Sequence, residues 1–278
     1  MVEESASTQR DKLAGGGLFS RIRDDQAGFR MLAVSYCNRD LYSGALQTDP
    51  NNPYPLPDGS ARRTNGLLAT KAAVQFAQRE YPTSASFLHG ASAGSAGAYY
   101  VAWALQRQGI RLAGVVADAS VVNRAARDAA HSQQICGPTG PDAADAVAAR
   151  THPELADVDN EPDRLVARGD LTVPLMHVWD SGDGPCGTQP MTCPLRDGST
   201  ARLSIPDCTH EPLQAAIAAS PGTRSMNLRL CVDDTRIAGD CDKHVVTTSD
   251  GLVNTEPSLP GNYLFVIMSW VRGRLADA

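Results

Sequence analysis

The sequence has 278 residues, 42% of them hydrophobic, and a formal net charge of −6. This length and apolar content suffice for one sizeable buried core. The acidic balance argues against nucleic acid or an anionic membrane as a partner. No apolar run reaches the roughly 18 residues that a membrane-spanning helix needs, so we expect no membrane span.

The predicted elements alternate between strand and helix along the chain. Buried strands are predicted from short apolar runs, and a first amphipathic helix from the fourfold spacing of Leu68, Ala72 and Phe76. In chain order we predict strands over 29–35, 86–89, 112–117, 173–179 and 203–205, and helices over 65–79, 93–106, 141–149, from Glu211 and over 262–275. This alternation predicts one α/β domain over residues 1–278, with a mostly parallel sheet covered on both faces.

One stretch carries the clearest chemical signal. Residues Ser86–Gln106 read S-F-L-H-G-A-S-A-G-S-A-G-A-Y-Y-V-A-W-A-L-Q, an apolar strand, a G-x-S-x-G turn and a helix. In a nucleophile elbow of this kind, the serine stands at the tip of a strained turn between strand and helix. Packing of small residues would also explain the glycines, but the strand before and the helix after favour Ser92 as a nucleophile. The amide of Ala93 would then face the oxyanion.

A serine nucleophile needs a base, and six histidines are available. We favour His210, which is predicted to lie in a loop between the last candidate core strand and a helix. His244, in a loop after Cys241, is its main rival. An exposed loop histidine without a catalytic role is the alternative for either position.

The base in turn needs an acid that follows a strand. Asp180 comes directly after the strand V-P-L-M-H-V-W and is the preferred candidate, whereas Asp183 follows in the same turn. Asp118, at the end of the strand over 112–117, is a third candidate. A carboxylate at a strand end often does no more than form a turn, so this alternative stays open for each of them.

Seven cysteines suggest an oxidising compartment. The pairs Cys186/Cys193 and Cys231/Cys241 have spacings that suit local loop disulfides, and the odd count leaves one thiol without a partner. The polar segment Met1–Ala14 carries no visible signal peptide. We still expect a secreted protein, with reduced buried cysteines as the alternative.

Five segments together resemble the pectin acetylesterase and Notum family of serine carboxylesterases. They are Y-C-N-R-D-L-Y-S-G (36–44), L-H-G-A-S-A-G-S-A-G (88–97), V-V-A-D-A-S (115–120), the strand into Trp179-Asp180, and D-C-T-H-E (207–211). They occur in the family's order. The resemblance implies an α/β-hydrolase-like fold, with Ser92 as nucleophile, Asp180 as acid and His210 as base.

The amino terminus departs from this family. Relatives carry upstream strands and a glycine-rich segment ending in a cysteine, which supplies a second oxyanion donor. Here the chain starts with M-V-E-E-S, so we expect those N-terminal strands to be missing, in a fragment or from a misassigned start. The oxyanion hole would then keep only the Ala93 amide, at a typical cost of about 100- to 1000-fold in rate.

The leading hypothesis is a secreted serine carboxylesterase or deacetylase acting on a small-molecule or polysaccharide ester, with O-acetyl polysaccharide as the favoured class. We expect a monomer that needs no cofactor or metal. The alternative is a truncated, weak or non-catalytic domain that binds carbohydrate or a protein partner. A metal site at His210 with Cys186, Cys193 or Cys208 matches no common zinc spacing.

Overall fold

A computed structural model describes residues 6–35, 40–50, 55–82, 84–119, 123–135, 149–183, 187–231, 244–248 and 262–277. Its helices are α1 (Ala6–Leu13), α2 (Leu18–Arg23), α3 (Gly66–Glu80), α4 (Ala93–Gln106), α5 (Arg124–Ser132), α6 (Pro153–Ala156), α7 (Pro162–Arg168), α8 (Ile205–Ala218) and α9 (Tyr263–Leu275). The strands are β1 (Gln47–Thr48), β2 (Arg63–Thr64), β3 (Phe87–Ala91), β4 (Gly114–Asp118), β5 (Leu175–Asp180), β6 (Pro190–Pro194), β7 (Thr200–Ser204) and β8 (Met226–Leu230). Short 3₁₀ turns occupy Val158–Asn160 and Pro221–Thr223.

The centre of the molecule is a four-stranded parallel sheet in the order β3-β4-β5-β8. Gly90 lies opposite Ala117 across the first pair, and Val116 lies opposite Met176 across the second. Parallel neighbours require long crossovers, and helices supply most of them here. The predicted α/β class with a mostly parallel sheet is therefore confirmed.

Each face of the sheet contributes to a separate apolar layer. Val115 and Ala117 point to the side covered by α3, α4, α7 and α8, whereas Val116 points to the side covered by α2 and α9. Successive residues of a strand face opposite ways, so strands buried on both faces become continuous apolar runs. This explains why V-V-A-D and L-M-H-V-W stand out in the sequence.

The first predicted strand does not form. Residues 29–35 belong to no helix or strand, and within the described part of the chain β3 pairs with β4 alone. Leu32 is exposed, as a side chain outside the core would be. An apolar run becomes a strand when a neighbouring strand supplies hydrogen bonds, and here no described strand lies beside it.

The predicted helix over 65–79 is confirmed as α3, but it faces the other way. Leu68 and Phe76, from the stripe that indicated amphipathicity, are exposed, whereas Thr70 and Val74 are buried. Val74 packs in the same core cluster as α4. Fourfold spacing identifies a helix but does not decide which side meets the sheet, because a second set of apolar residues lies beside the first.

The helix predicted from Glu211 begins six residues earlier, as α8 at Ile205. Ser204 caps it by accepting a hydrogen bond from the amide of Asp207, and Pro206 occupies the first turn. Both residue types favour a helix start at these positions. The strand β8 was not predicted, and most of the helical region predicted over 141–149 lies outside the described residues.

The disulfide pairing differs from the prediction. Cys193 on β6 is bonded to Cys208 on α8, so the predicted Cys186/Cys193 pair is wrong. The antiparallel hairpin of β6 and β7 folds back toward the start of α8 and brings the two sulfurs together. Cys186 and Cys241 lie outside the described residues. None of the described helices is long and apolar enough to cross a membrane.

Candidate active site

The turn at Ser92 has the geometry of a nucleophile elbow. Ser92 joins β3 to α4 with φ 53° and ψ −120°, a conformation that a non-glycine residue rarely adopts. A Cβ atom on Gly90 would lie 2.0 Å from the carbonyl oxygen of Gly94, so position 90 must be glycine. The strand and helix thus meet closely enough to hold the serine in its strained conformation.

Ser92 lies in a three-residue hydrogen-bonded chain. Its Oγ atom is 2.7 Å from Nε2 of His244, and Nδ1 of His244 is 2.8 Å from Oδ1 of Asp183. The Asp183 side chain is 5% exposed and that of His244 is 31% exposed. A carboxylate can only accept hydrogen bonds, so Nδ1 carries the proton and Nε2 is free to accept the serine proton.

The sheet explains why these residues meet. Ser92 follows β3 and Asp183 comes three residues after β5, while His244 comes later in the chain than β8. The carboxyl ends of parallel strands lie along one edge, where ligand sites of such sheets form. The chain order serine, acid, histidine is the order expected for an α/β-hydrolase triad.

The electrostatics favour an ionised acid and a basic histidine. The hydrogen bond from His244 to Asp183 raises the pKa of His244 above 6.5, although partial burial opposes the shift. Burial alone would raise the pKa of Asp183, but the polar contacts with His210 and His244 outweigh it and leave that pKa below 3.8. Asp183 therefore carries a negative charge at neutral pH, as the partner of a histidine base should.

Asp180, the acid preferred from the sequence, does not contact His244. It is the last residue of β5, and its Oδ1 accepts a hydrogen bond from the amide of Gly182. Its carbonyl oxygen accepts a second one from the amide of Asp183. Asp180 thus helps to form the turn that places Asp183, three residues further along the chain, beside His244.

His210 also lies elsewhere than expected. It sits within α8 rather than in a loop, it is buried, and its Nδ1 is 3.2 Å from Nε2 of His177. Its own Nε2 approaches Oδ2 of Asp183 at 3.8 Å. His210 therefore contacts Asp183 rather than Ser92, and the histidine beside Ser92 is His244.

Asp118 joins the elbow to the loop of His244. Its carbonyl oxygen accepts a hydrogen bond from the amide of Ser92, at 2.8 Å. Its Oδ2 accepts three more, from the amide of Val246 and from the amide and hydroxyl of Thr247. Burial raises the pKa of Asp118 to about 7, although the bonds from Thr247 and Val246 lower it. Asp118 thus connects the backbone at Ser92 directly to the loop that carries His244.

Part of the segment 36–44 packs against the elbow helix. Leu41 and Tyr42 both have positive φ, at 53° and 57°. A Cβ atom on Gly97 of α4 would lie 2.3 Å from the carbonyl oxygen of Leu41. The carboxylate of Asp40 accepts a hydrogen bond from the amide of Gly66 and so ties this turn to α3. Residues 36–39 lie outside the described residues.

Ala93 is the first residue of α4. The first amides of a helix have no carbonyl partner within the helix, so the Ala93 amide can donate to a negatively charged oxygen beside Ser92. The Ser92 amide cannot, because it is bonded to Asp118. Within the described ranges, no group of three or more His, Cys, Asp or Glu side chains could hold a metal ion.

Comparison of the chain with protein-family models, curated proteins and solved structures finds no match. The functional assignment therefore depends on the geometry of this site.

Sequence reasoning gave no role to Tyr99 or His177 and considered Asp118 only as a candidate acid. All three side chains are buried. A histidine inside an apolar strand and an aspartate at the end of another are detectable signals, because a buried polar group must find a partner. They do not indicate which partner.

Proposed function

We propose that this protein is a serine hydrolase that cleaves carboxylic esters with Ser92, His244 and Asp183 as its catalytic triad. The observation that carries the proposal is the continuous chain of contacts from Ser92 Oγ to His244 Nε2 at 2.7 Å and from His244 Nδ1 to Asp183 Oδ1 at 2.8 Å. The strained elbow at Ser92 supports the same assignment.

In the proposed mechanism, Ser92 Oγ attacks the acyl carbon while His244 Nε2 takes its proton. Asp183 holds the imidazole tautomer and stabilises the imidazolium. The Ala93 amide donates to the oxyanion of the tetrahedral intermediate. His244 then protonates the departing alcohol, and a water activated by the same histidine releases the acid from the acyl-enzyme.

For the substrate, we propose an O-acetyl ester of a polysaccharide, in a protein that acts outside the cell. The resemblance of five sequence segments to pectin acetylesterases supports this class. The buried Cys193–Cys208 disulfide is compatible with an oxidising compartment. A serine esterase of this kind needs no cofactor.

The test is hydrolysis of p-nitrophenyl acetate together with fluorophosphonate labelling, for the wild type and Ser92→Ala. Ser132→Ala is the matched control, because Ser132 is an exposed serine on α5. His244→Gln is compared with His152→Gln in the same way. His152 is the control histidine, because it caps α6 and is not part of the proposed triad. We expect labelling and turnover to disappear in Ser92→Ala, to fall by several orders of magnitude in His244→Gln, and to persist in both controls.

A folded wild-type protein that neither labels nor hydrolyses the ester would contradict the proposal and favour a domain that binds carbohydrate or a partner. Loss of activity in His210→Gln with retention in His244→Gln would restore the base assigned by the family resemblance.

A further inference from the structure

The triad continues behind its acid into a buried polar chain. Nε2 of His210 lies 3.8 Å from Oδ2 of Asp183, and Nδ1 of His210 lies 3.2 Å from Nε2 of His177. Nδ1 of His177 is in turn 2.7 Å from the hydroxyl of Tyr99. Tyr99 lies on α4, the helix that begins directly after Ser92. The contacts therefore run from Ser92 through the side chains of His244, Asp183, His210 and His177 to Tyr99, which lies on the helix that follows Ser92.

The donor and acceptor chemistry of these side chains fixes which atom carries the proton at each contact. Ionised Asp183 can only accept, so Nε2 of His210 must carry the proton that faces it. Nδ1 of a neutral His210 then accepts from Nε2–H of His177. Nδ1 of His177 accepts in turn from the hydroxyl of Tyr99. Each imidazole thus has one N–H and one acceptor nitrogen, and each of these atoms faces a polar partner.

Burial keeps this chain neutral. Burial lowers the pKa of His177 well below 6.5, with a further lowering by His210, and it also lowers the pKa of His210. The hydroxyl of Tyr99 stays protonated, because burial raises its pKa. Two neutral imidazoles and a phenol thus direct an N–H dipole at the carboxylate without adding a competing positive charge.

The His210 ring is held rigidly by its neighbours. It stacks on Trp179 with ring centroids 4.7 Å apart and an interplanar angle of 11°. The guanidinium of Arg229 also lies over the Trp179 ring, 4.7 Å from its centroid, and Arg229 pairs with Asp207. The charged and titratable groups that face His210 are therefore Asp183, His177, Asp207 and, through Asp183, His244.

We propose that Tyr99, His177 and His210 are positioning residues that hold the carboxylate of Asp183 toward His244. This inference rests on the proposed serine hydrolase function. Asp183 is buried and follows a turn, so its carboxyl group needs a second partner to fix its rotation. His210 supplies that partner on Oδ2 while His244 binds Oδ1. Supporting groups of this kind change rates by about 10- to 100-fold when removed.

The experiment compares two substitutions at the same position. In His210→Gln, the amide nitrogen takes the place of Nε2 and still faces Asp183. In His210→Asn, the amide takes the place of Nδ1 and still faces His177, but the donor to Asp183 is lost. We expect His210→Asn to lower kcat for p-nitrophenyl acetate by about 10- to 100-fold with little change in KM. His210→Gln should be about tenfold faster than His210→Asn, because only glutamine keeps an N–H dipole facing the carboxylate, an electrostatic contact at the 3.8 Å separation.

Thermal midpoints of both variants separate positioning from folding, because a structural role would lower activity in proportion to the folded fraction. Tyr99→Phe, which removes one distant hydroxyl, provides a second measurement if the position 210 variants unfold, and a smaller loss of kcat at unchanged KM is expected. Equal kcat in the wild type, His210→Asn and Tyr99→Phe, with Ser92→Ala inactive, would overturn the inference and leave the proposed function intact. An inactive wild type would overturn both.

Discussion

The elbow at Ser92 and the loop of His244 are built in different ways. The elbow is local: β3, the turn and α4 are contiguous, and its tight contact joins Gly90 to Gly94. The loop over 244–248 has no helix or strand of its own. It is held by the Asp118 carboxylate, by the hydroxyl of Tyr263 on the carbonyl of Val246, and by the amide of Leu18 on the carbonyl of Thr247.

Ser92 and His244 therefore respond differently to changes elsewhere in the chain. The conformation of Ser92 depends on a few neighbouring residues, and its strain is stored between two regular elements. The position of His244 depends on residues from α2, β4 and α9, which are far apart in the sequence. Mutations that change the contacts of Ser92 but not those of His244, or the reverse, test this comparison directly.

The largest expected effect comes from the acid beside the base. Asp183→Asn should lower kcat by about 10⁴-fold, because the histidine loses the acceptor that fixes its tautomer. His244 must be neutral to accept a proton, and its pKa is raised above 6.5 by Asp183. Activity of the wild type should therefore fall as the pH drops through a value above 6.5, and this acid limb should move to lower pH in Asp183→Asn.

Asp180→Asn is the matched control for that measurement. An asparagine oxygen can still accept the hydrogen bond from Gly182, so kcat and the acid limb should stay close to those of the wild type. A larger loss in Asp180→Asn than in Asp183→Asn would return the acid to the position preferred from the sequence.

The elbow can be broken by a single methyl group. Gly90→Ala places a Cβ atom 2.0 Å from the backbone oxygen of Gly94, so the strand and helix must separate. We expect a loss of at least about 3 kcal/mol in the free energy of unfolding, at the upper end of overpacking costs, and a loss of fluorophosphonate labelling. Urea unfolding and labelling rates check this.

Gly94→Ala is its counterpart on the other side of Ser92. Among the described residues, the added Cβ meets the Tyr42 ring alone, at 3.7 Å, and alanine is favoured over glycine within a helix by about 0.5–1 kcal/mol. The variant should unfold at an equal or higher urea concentration. Equal destabilisation by the two changes would show that the elbow does not depend on the Gly90 contact.

The disulfide supports α8 without touching the elbow or the base loop. Cys193 and Cys208 are separated by 15 residues, and closing a loop of that size stabilises a fold by about 3 kcal/mol. Replacing both cysteines by serine should lower the free energy of unfolding by about this amount. The change in kcat should be smaller than that caused by Asp183→Asn. Urea unfolding of the double variant measures it, and unchanged stability would contradict the assignment.

Asp118 should make stability depend on pH. Its pKa is raised from 3.8 to about 7 in the folded protein, so the folded state keeps a proton that the unfolded chain has released. Its contribution to stability is greatest below pH 3.8 and is lost as the pH rises toward about 7. Asp118→Asn cannot titrate, so the difference in free energy of unfolding between wild type and variant should change across this window. A constant difference would show that Asp118 is ionised throughout.

Much of the fold could be predicted from local patterns. The segments around Ser92, over 112–117 and over 173–179 became β3, β4 and β5, because an apolar run buried on both faces of a sheet is a strong signal. The failures have physical reasons. Residues 29–35 lack a described partner strand, and α8 begins at Ile205, directly after its Ser204 cap, rather than at Glu211.

The strand, G-x-S-x-G turn and helix around Ser92 could be predicted from the sequence, because they are contiguous and the strain of the turn is local. The sequence also narrowed the base to His210 or His244 and the acid to Asp180, Asp183 or Asp118. Which of these side chains lie beside Ser92 follows only from the tertiary structure, since the distance from Ser92 to His244 depends on the path of the chain between them. The same structure placed His210 behind Asp183, because α8 starts early enough to carry it into the core beside His177 and Trp179.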